Sequence, residues 1–450
     1  MLRRLLLAAT TIAVPLAGQT AAPRLTLTEA LRRADSHAYA NRAATSAADA
    51  QRAQALGAWK GVLPAVRAEA GVLRTTDPMN AFGFALKQRT ISMASFSPAA
   101  LNDPAAITNY SSGLVLEQPL VNPDAWMGFR AAQSAASAAA SGARWTATGV
   151  RNDVVQAFYG AVLSAEMART MAAAEQSARE HVRSAEVAAA NGFVTKSDAL
   201  LARVRAGDVT AQHLEAESRA RLARQQLALL LGVPGDTAFT LPDSLPAPAT
   251  VEVRVAQPGT PGARDDVHAA ELALSAAGLD VRRAEGSWLP RLNGFARYDW
   301  NSPEHIGAGP KSWTVGAMAS WSLFGGGAEL ADVQGASARL RGAQAQSEAA
   351  AASAALERRS ADEAIAVARA RSAIADTAVT QSAEALRIVR KKYDGGLATV
   401  SELLDASAAE TQSRLMRSDA RFRYLVAAAA RLRAWGADPA ALGALDSDLR

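Results

Sequence analysis

The sequence predicts a mainly α-helical chain that is built from two similar halves and carries four β-strands of membrane-spanning length. Three observations predict this fold class. Segments of the two halves match each other about 204 positions apart. Two alanine-rich stretches, 124–190 and 328–394, contain no proline, so each can hold one uninterrupted helix about 100 Å long. Four other segments alternate apolar and polar residues, as β-strands do.

The internal repeat is clearest at two pairs of short segments. Asn191–Leu201 aligns with Gly395–Asp405 at an offset of 204, and Gly113–Leu120 aligns with Gly316–Leu323 at an offset of 203. Each half therefore has the order helix, strand, strand, long helix, turn, helix, and the fold must be read as a duplication. The predicted boundaries are a signal peptide over 1–22, a first repeat over 23–232, an inter-repeat linker over 233–262, a second repeat over 263–436 and a C-terminal tail over 437–450.

The N-terminus has the organisation of a secretory signal peptide. Arg3 and Arg4 precede an apolar run over residues 5–16, and small residues follow up to Ala22. The run is too short to cross a bilayer as a helix. Cleavage is expected after Ala22, with Gly18 as the alternative site. Because no later apolar run reaches roughly 18 residues, no transmembrane helix is expected in the exported chain.

Composition argues against several functional classes. The chain has no cysteine, so neither a disulfide framework nor a cysteine-based zinc site is expected. The net charge is only +5, with acids and bases interspersed, which is typical of solvated helices rather than of a nucleic-acid-binding patch. The five histidines are scattered, and no nucleophile–base pair or metal-ligand cluster stands out. No enzyme, metal or cofactor is therefore expected.

The elements follow in order. Thr26 or Thr28 can cap a first helix that is predicted to run to about Lys60. The proline-rich linker joins the two halves. The run Gly325–Gly327 follows a strand and precedes a helix. Since no Gly-Lys-Ser/Thr sequence comes after it, we expect a strand-to-helix corner rather than a phosphate-binding loop.

The four alternating segments lie in 63–72, 113–120, 289–300 and 313–323. Their length of about ten residues is that of transmembrane β-strands, although ordinary half-buried hairpins remain an alternative. Four strands cannot close a barrel, and lipid does not tolerate open sheet edges. Either the sheet belongs to a soluble domain, or several chains pool their strands, and three chains would give twelve. The connection Thr75–Ser111 is much longer than its counterpart, and its role is left open.

The two matching turns are predicted to be helical hairpin tips. Gly395 and Gly396 end the long helix because glycine accepts a left-handed backbone. Thr399 or Ser401 can cap the next helix, with Glu402 in its first turn. Glu402 and Asp405 then lie on one helical face. A solvated coiled-coil tip is the plain alternative.

At this point the sequence resembles the TolC family of outer-membrane efflux and secretion channels. The resemblance extends from Leu25 to about Gly436. It is carried by the following motifs and by their order: Leu25-Thr-Leu-Thr-Glu-Ala-Leu31, Leu63-Pro64, Asn191-Gly-Phe-Val-Thr-Lys-Ser-Asp198, Trp288-Leu-Pro290, Leu323-Phe-Gly-Gly326 and Tyr393-Asp-Gly-Gly-Leu-Ala-Thr-Val-Ser-Glu-Leu-Leu-Asp405. It implies a homotrimer with a twelve-stranded outer-membrane β-barrel above a twelve-helix coiled-coil α-barrel that extends into the periplasm of a Gram-negative-type bacterium.

The resemblance also implies roles for residues at the tips. Asp198 and Tyr393 would hold the tips shut, and Glu402 and Asp405 would line the narrowest point. Ala398 departs from members that carry an arginine there, which removes one expected salt bridge. Closure is therefore expected to depend more on an Asp198–Tyr393 hydrogen bond. The residues expected to meet a periplasmic adaptor are Gly192, Phe193, Val194, Thr195, Gly396, Leu397, Ala398 and Thr399.

The function implied is a passive export duct through the outer membrane. Its expected partners are two further copies of the chain, outer-membrane lipid, a periplasmic adaptor and an inner-membrane pump of an efflux or type I secretion system. A structural, adaptor-like periplasmic coiled-coil protein is the alternative. The alternating strand segments favour the duct, because an adaptor needs only one helical hairpin. Neither the exported substrate nor the class of pump follows from the sequence.

Overall fold

Each half of the chain contributes two strands, one very long helix and shorter helices that pack along it. The computed structural model describes residues 23–255 and 263–449, and the predicted signal peptide lies outside the described residues. The helices are α1 (Leu27–His37), α2 (Tyr39–Gly57), α3 (Pro78–Lys87), α4 (Pro98–Asn102), α5 (Pro123–Ala190), α6 (Lys196–Leu230), α7 (Pro248–Val255), α8 (Asp265–Gly286), α9 (Ala328–Asp394) and α10 (Val400–Ala434). The strands are β1 (Ala65–Thr75), β2 (Ile107–Val121), β3 (Arg291–Ser302) and β4 (Lys311–Ser320), and short 3-10 segments occupy Ala58–Gly61, Met93–Phe96 and Pro439–Leu449.

The four strands form one antiparallel sheet in the order β1-β2-β3-β4. Val66 pairs with Leu116, Leu116 with Ala296, and Ala296 with Val315. Side chains in register share a face, so this row belongs to one apolar face of the sheet. That apolar face consists of Val66, Ala68, Ala70 and Val72, Leu114 and Leu116, Leu292, Ala296, Tyr298 and Trp300, and Trp313, Val315, Ala317 and Ala319. The alternation in the sequence is thereby confirmed.

The opposite face of the sheet is polar and carries ion pairs. Arg67 of β1 pairs with Glu117 of β2. Arg297 of β3 lies 2.7 Å from Asp299 and 3.5 Å from Glu69. Charges are therefore confined to one face at mid-sheet, whereas the apolar face is exposed in the single chain, with Val315 at 66%. Among the described residues, β1 pairs only with β2 and β4 only with β3, which leaves one edge of each outer strand free.

The two long helices match their predicted lengths. Helix α5 has 68 residues and α9 has 67, or about 100 Å each. α5 packs against α2, α6 and α8, and α9 packs against α8 and α10. The buried residues of α9 are five alanines and one serine, and such small side chains let helix backbones approach closely. Within the described part of the chain, no helix is both long enough and apolar enough to cross a membrane.

The predicted single helix from Thr26 to Lys60 is wrong, because the chain breaks at Ala38. Thr26 caps α1 as expected, but Ala38 adopts φ −56° and ψ 130°. The break turns the apolar face of α1 onto α5 and the C-terminal segment, where Thr28 Oγ1 donates to the carbonyl of Gly443 at 3.1 Å. Asn41 Nδ2 donates to the carbonyl of Ala34 at 3.1 Å, and the same carbonyl accepts from the amide of Ala38 at 3.0 Å.

The main hydrophobic core lies at the waist of the molecule, where α1 and the C-terminal segment meet the long helices. Its largest fully buried side chains include Leu27, Phe158, Tyr159, Leu227, Leu425 and Leu442. Beside it, the Trp145 ring of α5 lies 4.6 Å from the guanidinium carbon of Arg264 and 4.4 Å from that of Arg433. Both arginines also pair with Glu357 of α9. This cluster, which we call the Trp145 clamp, links both repeats.

The connection between β1 and β2 was predicted only as a long loop, yet it is folded. It contains α3, a 3-10 segment and α4. Asp77 caps α3 by accepting from the backbone of Asn80 at 2.8 Å, and Pro78 occupies the first turn. The corresponding connection in the second repeat, 303–310, contains no helix. The run Gly325–Gly327 forms the predicted strand-to-helix corner, with Gly327 at φ 87°.

The two faces of the sheet give a first prediction. Ala317 lies on the apolar face and its neighbour Met318 on the polar face. If the apolar face contacts lipid, Ala317→Arg should cost roughly 2–4 kcal/mol, since a cation near the bilayer midplane is poorly tolerated. Met318→Arg, at almost the same depth, should be mild. The measurement is the yield of folded, heat-resistant oligomer in outer-membrane fractions, and equal yields for the two variants would contradict the assignment of the faces.

Candidate functional site

The candidate site comprises the two hairpin tips, which have the same backbone turn. Gly192 and Gly396 adopt φ 76° and 72°, a left-handed conformation that favours glycine. The amide of Phe193 donates to the carbonyl of Ala188 at 2.9 Å. At the second tip, the amide of Leu397 donates to the carbonyl of Lys392 at 2.7 Å. The hairpin tips predicted from the glycines are confirmed.

The helix after each tip begins with a reciprocal capping box. The amide of Thr195 donates to Asp198 Oδ2 at 3.0 Å, and the amide of Asp198 donates to Thr195 Oγ1 at 3.2 Å. The amide of Thr399 donates to Glu402 Oε2 at 2.8 Å, and the amide of Glu402 donates to Thr399 Oγ1 at 3.2 Å. Of the two candidate caps, Thr399 rather than Ser401 is used. Asp198 and Glu402 are repeat equivalents, and both carboxylates bond to a helix terminus.

Two predicted site residues differ between the tips. Tyr393 of the second tip aligns with Ala189 of the first, and Asp405 aligns with Leu201. Asp405 is exposed and borders a cavity of about 450 Å³ between α5, α6 and α10. Since capping is shared by both tips, it does not explain these two residues. They are specific to the second tip.

A small apolar cluster joins the tips. Ala185 of α5, Ala199 and Ala202 of α6, and Val400 of α10 are buried together, and Tyr393 packs against them. Burial raises the pKa of the Tyr393 hydroxyl, and the nearby carboxylates of Asp394 and Asp198 raise it further. We call this group the tip cluster.

The predicted Asp198–Tyr393 hydrogen bond is not formed. Within the described residues, the Asp198 carboxylate accepts hydrogen bonds from Thr195 alone. The reason is that the capping box turns the carboxylate back toward its own helix terminus. Packing of the Tyr393 ring in the tip cluster therefore provides the contact between tips that the hydrogen bond was expected to provide.

The residues predicted to meet an adaptor lie at the ends of the hairpins. Phe193 and Leu397 are 83% and 81% exposed, which is unusual for large apolar side chains. Gly192, Thr195, Gly396 and Thr399 are also exposed, whereas Val194 and Ala398 are half-buried. A Cβ atom at Gly192 or Gly396 would meet nothing within 4 Å, so other molecules can approach both turns closely.

His181 was not singled out by the sequence, and no local motif marks it. It lies on α5, is 7% exposed, and borders both the cavity next to Asp405 and a smaller one next to Arg390, Glu410 and Arg414. Burial lowers its pKa, and Arg390 of α9 lowers it further, against an opposite influence of Glu180. Across the described residues, no group of three or more potential metal ligands converges.

One known family matches the second half of the chain. Residues 262–437, which run from the start of α8 to the end of α10, match the family described as outer membrane efflux protein. The match to this family is therefore carried by the second repeat of the chain. The resemblance to the TolC family is thereby confirmed, and the chain is an outer-membrane protein.

Individual proteins are also similar to this chain. The alkaline protease secretion protein AprF of Pseudomonas aeruginosa is 28% identical over 243 residues, which is 52% of this chain and 50% of AprF. The match thus spans about half the length of that relative. The outer membrane protein VceC of Vibrio cholerae has a similar structure, with a TM-score of 0.77, 20% identity, and coverage of 91% of this chain and 96% of VceC. The Campylobacter jejuni outer membrane channel CmeC also has a similar structure, with a TM-score of 0.75, 17% identity, and coverage of 96% of this chain and 94% of CmeC. Likeness at these identities shows the fold.

His181 gives a prediction about pH. Folding lowers the pKa of His181, so the unfolded chain binds more protons than the folded chain does. The folded state therefore loses stability as the pH falls from about 6.5, the ordinary pKa of histidine, toward the lowered pKa of the folded state. His181→Gln should therefore reduce the drop in unfolding midpoint between about pH 7.5 and about pH 5.5. Thermal unfolding measures this, with His268→Gln at a more exposed histidine as the control. If the unfolding midpoint of His181→Gln drops as much as that of the wild type, His181 is not the source of this pH dependence.

Proposed function

We propose that this protein is the outer-membrane channel of an efflux or secretion system, a passive duct from the periplasm to the exterior formed by three copies of the chain. The observation that carries the proposal is the sheet. It has one apolar and one polar face, two unpaired edges, and a direct covalent connection to helices about 100 Å long.

The unpaired edges support assembly. In hydrocarbon every backbone N–H and C=O needs a partner, so β1 and β4 cannot be left open. Pairing β4 of one copy with β1 of the next is antiparallel and continues the sheet. Three copies give twelve strands, an even number within the known range of membrane barrels. The apolar face then contacts lipid, and the polar face with Arg67, Glu117 and Arg297 lines the lumen.

The helices support continuation of the duct into the periplasm. In each copy α5 and α9 run the full length, while α2 with α6 and α8 with α10 fill the two remaining columns. Three copies supply twelve columns around the same axis. Buried alanines such as Ala354, Ala361 and Ala368 of α9 allow close lateral contact, which suits a wall of helices better than a solid core.

The second tip supports a gate. Tyr393 packs in the tip cluster and couples α9 to the first hairpin. Asp405 is exposed and free of the capping hydrogen bonds that bind Glu402. Around a threefold axis, three Asp405 carboxylates form an acidic ring that raises the local cation concentration. Glu402 adds charge to this ring but also stabilises its helix terminus.

The tips also support docking of a periplasmic adaptor that links the duct to an inner-membrane pump. Phe193 and Leu397 expose large apolar surfaces at the hairpin ends, which mark interaction sites. AprF is named as a secretion protein, and the family that matches the second repeat is described as outer membrane efflux protein, which supports a partner system for secretion or efflux. An adaptor-like coiled-coil protein is disfavoured, because it would not need a sheet with one apolar face.

The acidic ring gives a prediction that tests the channel itself. Purified protein in planar bilayers should form cation-selective pores. Asp405→Asn should lower the cation-to-anion permeability ratio several-fold, because a ring of charge is removed at the narrowest point. Glu402→Gln, which keeps a side chain able to complete the capping box, should have a smaller effect.

Two outcomes would count against these ideas. Exclusive recovery of the protein from the soluble periplasm, with no pores in bilayers, would overturn the channel. Pores with the same selectivity in wild type and Asp405→Asn would leave the channel intact and remove the acidic ring.

Tyr393 gives a prediction about closure. Tyr393→Ala removes a half-buried ring from the tip cluster, a loss of roughly 1–2 kcal/mol, which should shift the closed–open equilibrium about tenfold and raise resting conductance. Tyr393→Phe keeps the ring and should conduct like the wild type, because the hydroxyl does not bond to Asp198. Single-channel recording measures both, and a leaky Tyr393→Phe variant would restore the hydrogen-bond explanation.

A further inference from the structure

We propose that the segment 76–106 between β1 and β2 packs against its counterparts in two other copies of the chain, and that the three segments together narrow the exit of the channel. We call this segment the exit insertion. The inference rests on the proposed function, because it requires three copies around one axis. It concerns the end of the barrel opposite the tips, so it adds a constriction independent of Tyr393 and Asp405.

The position of the exit insertion follows from chain connectivity. β2 ends at Val121 and α5 begins at Pro123, so the helices attach to one end of the sheet. The exit insertion leaves Thr75 and returns at Ile107, which are at the other end. With the helices in the periplasm, it lies at the external mouth.

The orientation of the exit insertion follows from a buried polar chain. Gln88, at the end of α3, donates through Nε2 to the carbonyl of Thr108 and to Asn109 Oδ1, both at 2.9 Å. Asn109 Nδ2 donates to Asn301 Oδ1 at 2.9 Å. All three residues of this chain of hydrogen bonds are buried: Gln88 is 5% exposed, Asn109 3% and Asn301 4%. Asn109 and Asn301 occupy polar-face positions of β2 and β3, so the exit insertion is fastened to the face that lines the lumen.

Arg89 shows that the exit insertion crosses the mouth rather than standing beside it. Its Nη2 donates to the carbonyl of Lys311, the first residue of β4, at 3.4 Å. The exit insertion starts at β1 and thus reaches the opposite side of the sheet. Arg89 has φ 55°, the only positive φ at a non-glycine residue in the described ranges. Such a conformation costs roughly 1–2 kcal/mol, and the hydrogen bonds of Gln88 and of Arg89 itself hold the backbone there.

The exit insertion is a folded unit with an unpartnered apolar surface. The rings of Phe82 and Phe96 meet edge to face at 5.9 Å, and Ala81 is buried. Met79 and Met93, however, are 84% and 87% exposed. Only four charged residues occur in 76–106, and their charges cancel. Exposed methionines with little surrounding charge are typical of protein contacts.

The partner of this surface is the same surface of the neighbouring copies. The exit insertion reaches from β1 to β4, the two strands whose free edges require a second copy, and it lies over the lumen through which the threefold axis passes. Three exit insertions therefore converge from the sides of the mouth. An apolar constriction of this kind hinders water and ions by dewetting while flexible methionine side chains yield to larger apolar cargo.

The test is disulfide cross-linking, for which the cysteine-free chain is a ready background. Met93→Cys, and Met79→Cys as a second variant, are expressed in the outer membrane and oxidised. We expect a covalent dimer on denaturing gels, since one of three chains must stay unpaired. Glu304→Cys is the matched control. Its side chain is 78% exposed, and it lies at the same end of the sheet in the short connection, so it should not cross-link.

Oligomer and conductance are measured in the same samples. A heat-resistant trimer with a dimer cross-link at 93 or 79 only, and a conductance that falls on oxidation and recovers on reduction, would support the exit insertion as proposed. A trimer with no cross-link at either position, equal cross-linking at 304, or an unchanged conductance would overturn this inference while leaving the channel. Absence of any trimer would overturn both.

Discussion

The free edges of the sheet are the constraint on which the rest of the structure depends. One chain supplies four strands, and the apolar face of those strands belongs in lipid, where an unpaired backbone group has no water to bond to. A lone chain therefore has no stable place in the membrane. The helices attached to the sheet must then be arranged with the same threefold symmetry as the strands. Helices that pack on both sides through alanine, and a lumenal face whose charges are already paired within each copy, both fit this requirement.

The duplication explains which residues serve folding and which are free to serve function. Thr195 with Asp198, and Thr399 with Glu402, make the same capping box at both tips, because every helix start must satisfy its amides. Tyr393 and Asp405 have no counterpart in the first repeat. Likewise only the first repeat carries helices between its strands. Comparison of the two halves separates the shared scaffold from the parts that diverged after duplication.

Much of this fold could be predicted from the sequence, because its main signals are local. Alternation reports directly on two environments across a strand, proline-free stretches permit long helices, and glycine marks the tips. The break at Ala38 could not be predicted, since alanine favours helix and no local signal marks the packing of α1 on the distant C-terminal segment. The orientation of the Asp198 carboxylate was also missed, as the same residue type suits a cap and an inter-helix bond. Asp77-Pro78, by contrast, was a readable helix start.

The Trp145 clamp has a mechanical consequence. It holds α5 at the waist, and Ala190 at the tip lies 45 residues further along the same helix, or roughly 70 Å away. An arm of that length acts as a lever, so a tilt of one degree at the clamp moves the tip by about 1 Å. The position of the tip therefore depends on how firmly the clamp holds α5, although the clamp lies far from the tip.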